Sequence, residues 1–202
     1  MRQVKTIKGF TLVEILVAMG IGMVVMAAVA TTFTSQSRVY NAQEQVNEMQ
    51  QNARAALDMI TRELKMAGYK TNTGAVAGLT ASGVNLDNTK LVIEADLDSD
   101  NAINGSAGSS ERISYSYSSS AKQIRRRLGS GTSDVFADNI TAFTFTYLKA
   151  DGVTAAALAS EIRQVKIEIT AQTANPDPNY TSNGGYPTYQ LTATVTPPNL
   201  AY

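Results

Sequence analysis

The sequence predicts an α+β protein. A long N-terminal helix, with a transmembrane half and an amphipathic half, packs on a β-rich, mostly antiparallel C-terminal head. Three observations predict this. An apolar run with one charged residue fills Phe10 to Ala30. A stripe of apolar residues at spacings of three and four follows, from Val39 to Ala67. Beyond Gly68 apolar residues recur at every second position, in short runs separated by turn-rich stretches.

The apolar run holds about 21 residues, enough to cross a hydrocarbon core of roughly 30 Å. Arg2, Lys5 and Lys8 precede it, and the next basic residue is Arg38. Positive residues stay cytoplasmic, so everything after the span is expected to be translocated. A secretory signal has a shorter apolar core followed by a small-residue cleavage site. Here the run passes straight into a helical pattern. Gly20 and Gly22 weaken that helix by up to about 1 kcal/mol each relative to Ala. They suit either local unwinding in a filament or close packing against other helices.

The amphipathic stripe is Val39, Ala42, Val46, Met49, Ala53, Leu57, Ile60, Leu64 and Ala67. Gly68 follows it as the expected C-cap. One helix from Phe10 to Ala67 would be about 87 Å long. No head of this size can cover all of it. The first half therefore needs lipid or a filament core, and the second half packs on the head. The expected divisions are 1–9 (basic leader), 10–30 (membrane or filament-core helix), 31–67 (amphipathic continuation) and 68–202 (head).

In the head, Leu91, Ile93 and Ala95 alternate with Val92 and Glu94. Ile113, Tyr115 and Tyr117 alternate with serines, and Phe143, Phe145 and Tyr147 lie two apart. Val165, Ile167 and Ile169 alternate with Lys166 and Glu168, and Leu191, Ala193 and Val195 alternate with threonines. Each run predicts a strand with one buried and one wet face. Residues 98–110, 129–133 and 175–187 read as turns.

Composition narrows the function. The 202 residues carry 17 basic and 17 acidic side chains, so the overall balance does not point to nucleic acid. Cys and His are both missing, which removes disulfides, thiolate chemistry and the commonest general base. No nucleophile–base constellation is visible, so an enzyme is not expected.

One residue of the apolar run does not belong in a plain anchor. Glu14 is a carboxylate inside it, and an intramembrane acid is a functional hypothesis by default. The order Lys8, Gly9, Phe10, Thr11, Leu12, Val13, Glu14 resembles the type III signal of type IV pilins and type II secretion pseudopilins. The resemblance implies a membrane peptidase that cuts between Gly9 and Phe10 and methylates the new Phe10 amine. It also implies pairing of Glu14 in one subunit with the Phe10 amine of a neighbour, which neutralises both charges within an apolar filament core. An intramolecular pair before assembly is compatible with this, and the plainer reading is an anchor that tolerates its Glu.

The head adds a second resemblance. "QQNARAALDMITRELKMAGY", "DLDSDN", "ERISYSYSSSAKQIRRRL", "DNITAFTFTYL" and "EIRQVKIEITAQT" occur in that order. The series is similar to PilW-type minor pilins, which are related to J-type minor pseudopilins of type II secretion. It implies a low-abundance subunit that helps initiate a type IV pilus and sits at or near its tip. Its expected partners are other minor and major pilins, the prepilin peptidase and the inner membrane. Before assembly the head would be periplasmic; afterwards the chain would be in the fibre or its tip.

Two further motifs are weighed on their residues. Asp96, Asp98 and Asp100 alternate like the first ligands of a calcium loop, with the Ala102 carbonyl as a fourth. Asn101 replaces the turn glycine and Ala107 stands where a bidentate Glu belongs, and Glu111 could substitute only along a different loop path. The plainer reading is an acidic turn. Arg125, Arg126 and Arg127 form the one dense basic run. As a strand it would place Arg125 and Arg127 on one face and Arg126 with Ile124 and Leu128. Without interleaved aromatics it is a weak DNA signal, and pairing with nearby acids is the plainer reading. Three functions stay open: a minor pilin, a secretion pseudopilin, and a tip adhesin or DNA receptor.

Overall fold

The computed structural model describes residues 9–70, 83–87 and 89–199; Arg2, Lys5 and Lys8 of the leader lie outside the described residues. The chain divides into two compact units, Met1–Glu44 and Gln45–Tyr202. One helix, α1 (Leu12–Lys65), begins in the first unit and ends in the second.

In the first unit every residue from Gly9 to Asn41 is exposed. Among the described residues α1 is the one helix long and apolar enough to cross a membrane, with a mean hydropathy of 2.5 in its most apolar window. It runs unbroken through Gly20 and Gly22. Past the apolar run the threonines satisfy themselves on the helix: Thr31 and Thr32 both donate to the Ala28 carbonyl at 2.9 Å. Such local bonding lets polar residues follow the apolar run without ending the helix.

In the second unit the stripe is buried from Met49 onward: Met49, Ala53, Leu57, Ile60, Leu64 and Ala67 all lie in the core, and Ala56 joins them. The helix ends at Lys65, two residues short of the expected Ala67. Gly68 is left-handed (φ 70°), but its amide donates to the Glu94 carbonyl at 2.9 Å and not back to the helix. That bond ties the helix terminus to the head.

The head holds two antiparallel meanders. One has β1 (Lys90–Glu94), β2 (Arg112–Ser118), β3 (Gln123–Leu128) and β4 (Ser133–Ala137) in that order. The other has β5 (Ile140–Leu148), β6 (Gln164–Gln172) and β7 (Thr188–Val195). The expected alternation holds in β2, β5 and β6. Ile113 and Tyr115, Phe143 and Tyr147, and Val165, Ile167 and Ile169 face the core. In β7 Tyr189, Leu191 and Ala193 are half-buried and Val195 is buried.

Two features differ from the sequence reading. Strand β1 has no wet face, because Val92 and Glu94 are buried as well as Leu91 and Ile93. The preceding segment pairs along the free edge of β1: Val84 bridges Ile93, the Asn85 amide donates to the Val92 carbonyl at 3.3 Å, and the Asn85 side chain donates to Glu94 at 3.0 Å. Strand β4 carries no alternation that would announce it. The register shifts between Ile124 and Arg125, which pair with Ala137 and Val135, so Phe136 is an extra residue and breaks the period.

Candidate functional site

The N-terminus of α1 shows how Glu14 is placed. Thr11 caps the helix: its hydroxyl accepts the Glu14 amide at 3.2 Å, and the Glu14 carboxylate accepts the Thr11 amide at 2.9 Å. The Thr11 hydroxyl also donates to that carboxylate at 2.9 Å. This reciprocal arrangement is a capping box, which satisfies two amides that the helix start would leave unpaired. The sequence signal for this box is Thr-x-x-Glu directly before an apolar run, a signature independent of the processing signal that overlaps it. Phe10 is 86% exposed and sits directly before the cap. A new amine on Phe10 would therefore lie within one helical turn of Glu14, on a helix with no other acid in its apolar run.

The arginine run is mostly occupied by the head itself. Arg126 lies on the core face, as the alternation expected, and reaches Glu63 of α1 with an N···O distance of 2.6 Å. Its Nε also donates to Glu63, at 3.4 Å, and the Tyr115 hydroxyl donates to the same carboxylate at 2.5 Å. Glu63 is only 6% exposed, so this triad takes a charge into the interior between helix and sheet. Burial foremost, and then the Glu63 carboxylate, push the Tyr115 hydroxyl far above its ordinary range, so it remains a donor. Burial alone would lower Arg126, but Glu63 outweighs that and raises it. The Arg125 guanidinium donates to the Ser133 carbonyl across the sheet, and Arg127 is exposed. Of the three arginines, Arg126 pairs with an acid, Arg125 bonds a backbone carbonyl and Arg127 faces solvent.

The acidic loop closes differently from the spacing Asp96–Asp98–Asp100. Carboxylate oxygens of Asp96, Asp98 and Glu111 gather within 4.8 Å of one another. Asp100 is outside that group and caps its own turn, accepting the Ala102 amide at 2.8 Å. The loop path makes the exchange. Ser99 and Asn101 are both left-handed (φ 70° and 64°), which bends the chain on either side of Asp100. Glu111, at the start of β2, accepts the amides of Leu97, Asp98 and Asn104 at 2.9, 3.2 and 2.8 Å. Burial would raise Glu111, but those three amides outweigh it and hold its carboxyl below the ordinary value. The Asp100 amide works to lower Asp98. Desolvation and the nearby Asp100, Glu111 and Asp96 charges outweigh it and leave Asp98 raised.

The prepilin peptidase-dependent protein B family matches residues 42–196, well over half of the chain. The chain belongs to that family. A prokaryotic N-terminal methylation motif matches residues 5–30, which contain Gly9, Phe10 and Glu14. The chain is therefore a type IV pilin-like protein, and the motif implies processing by a prepilin peptidase. Over 63 residues it is 41% identical to the pilin-like protein PilA3 of Thermus thermophilus, covering 31% of this chain. It spans 27% of that relative's length. A solved structure of a type IV-like pilin from Thermus thermophilus aligns over 75% of this chain and 97% of its own, at 12% identity and a TM-score of 0.46.

Proposed function

We propose that this chain is a minor pilin that helps to start assembly of a type IV pilus and takes its place at or near the tip. The observation that carries the reading is the N-terminal helix: an apolar surface exposed from Leu12 to Ala30, interrupted by one acid, behind a methylation motif. Contiguous exposed apolar surface on this scale demands a covering, and a bilayer followed by neighbouring pilin helices supplies one in each state. Cleavage between Gly9 and Phe10 removes the basic leader and creates the Phe10 amine. Glu14 then exchanges its Thr11 contacts for the amine of an adjacent subunit. Pairing of two charges in an apolar core specifies register, because either charge left alone there is strongly unfavourable.

The sequence of the head supports a low-abundance, initiating role through its similarity to PilW-type pilins. The test is to delete the gene in the native host, count pili by electron microscopy, and locate the head with gold-labelled antibody in the complemented strain. Fewer pili, with label at fibre ends, is the expected result. Label spread along the fibre would argue for a shaft subunit. Normal piliation with loss of protein export would instead make the chain a type II secretion pseudopilin.

A further inference from the structure

We infer that the loop between β1 and β2 binds a calcium ion through Asp96, Asp98 and Glu111, a donor set in which Glu111 stands in for Asp100. Three carboxylates whose oxygens converge within 4.8 Å form a concentrated negative site on one side of the head. An acidic cluster alone would be a solvated turn. The independent observation is Asp96, which is 0% exposed and has one carboxylate oxygen, Oδ2, enclosed without a hydrogen-bond partner. Its other oxygen accepts the Ser99 amide at 2.8 Å. An enclosed carboxylate oxygen with nothing to bind is costly, and a cation is the partner its chemistry fits. Asn101 Oδ1, in the same loop, is likewise enclosed and unpartnered.

The donor chemistry selects the ion. All three ligands are hard carboxylate oxygens, and neither Cys nor His occurs in the chain to favour a softer metal. Calcium accepts six to eight oxygens in irregular geometry, whereas magnesium demands a near-octahedral shell and keeps its waters. Glu111 is already held by three backbone amides, so its orientation is set without the ion. Asp98 is exposed and leaves the site open to water, which completes the shell. The same ion would relieve the mutual repulsion of the three charges and fix the loop against the β1 terminus, where Asp96 donates its amide to the Tyr69 carbonyl at 2.9 Å.

The test uses the full-length protein in detergent, stripped with a chelator and then titrated with calcium chloride. Heat of binding and thermal unfolding are both recorded. At calcium about a hundredfold above its dissociation constant, the melting temperature should rise by about 5 °C or more. Magnesium at the same concentration should give a markedly smaller rise. Asp98→Asn changes an exposed group, so it leaves folding intact, and should weaken calcium binding by roughly tenfold or more. Asp100→Asn should keep the wild-type affinity. The absence of both heat and a melting shift at millimolar calcium would overturn the proposal. So would a full shift retained in Asp98→Asn, and loss of binding in Asp100→Asn would overturn the donor set.

Discussion

Glu63 places a carboxylate inside the head. It is buried at the helix–sheet contact, and its two partners, Tyr115 and Arg126, are 52 and 63 residues away in sequence. For that reason nothing in its neighbourhood announced it: a Glu among Arg62, Leu64 and Lys65 reads as helix surface. Arg126 was legible only by half, since alternation gave its face but not its partner. Removing one side of such a pair strands the other charge, whereas replacing the whole group with apolar residues is close to neutral. Glu63→Ala should therefore destabilise the head by about 3 kcal/mol, and Glu63→Leu combined with Arg126→Leu and Tyr115→Phe should recover most of it. Denaturant melts of the variants, followed by tyrosine fluorescence, measure both values. Equal losses in the single and the triple variant would mean that packing volume, not charge pairing, holds this contact.

At the scale of elements, the sequence reads well wherever one local pattern is repeated often enough. The stripe from Met49 to Ala67 is buried as its spacing requires, and β2, β5 and β6 follow their period of two. Legibility fails where a separate segment or an irregularity intervenes. Val92 and Glu94 lie beside the Val84–Asn85 segment, which pairs along the edge of β1. Strand β4 is short and bulged at Phe136, so its five residues contain no usable period. The acidic loop shows the same limit, because its left-handed residues at Ser99 and Asn101, not its spacing, decide that Glu111 replaces Asp100. The junction of helix and sheet offers an element-scale test. Gly83 has φ +65°, and a Cβ built on it would lie 1.9 Å from the Gly68 amide nitrogen. It also accepts the Glu94 amide at 2.8 Å. Gly83→Ala should then lower the melting temperature by roughly 4–8 °C, corresponding to about 2 kcal/mol. Gly105→Ala, where a Cβ would meet nothing within 4 Å, should leave it nearly unchanged. Equal melting temperatures for wild type and Gly83→Ala would show that the helix terminus does not need this close approach.

For the whole molecule, two units of opposite character share one helix. The head buries a continuous apolar core, while every described apolar residue from Phe10 to Tyr40 is exposed, and that contrast fits a pilin-like chain. Family membership and the methylation motif agree with it. In the proposed function Glu14 acts through its charge, in a contact between subunits. The capping box supplies the competing explanation, that Glu14 only secures the helix start. Glu14→Gln separates the two, because Gln still serves in a capping box but carries no charge for the Phe10 amine. The measurement is made in a strain whose only copy is Glu14→Gln: pili per cell, recovery of other pilins with the purified chain, and the mass of the mature N-terminus. The expected result is normal membrane insertion and a mature chain that begins at methylated Phe10. Pili should be fewer and the other pilins should no longer co-purify, since the stranded amine costs about 3–5 kcal/mol in an apolar setting. Wild-type pilus numbers together with undiminished co-purification would contradict the charge-pairing role and leave Glu14 as a helix cap.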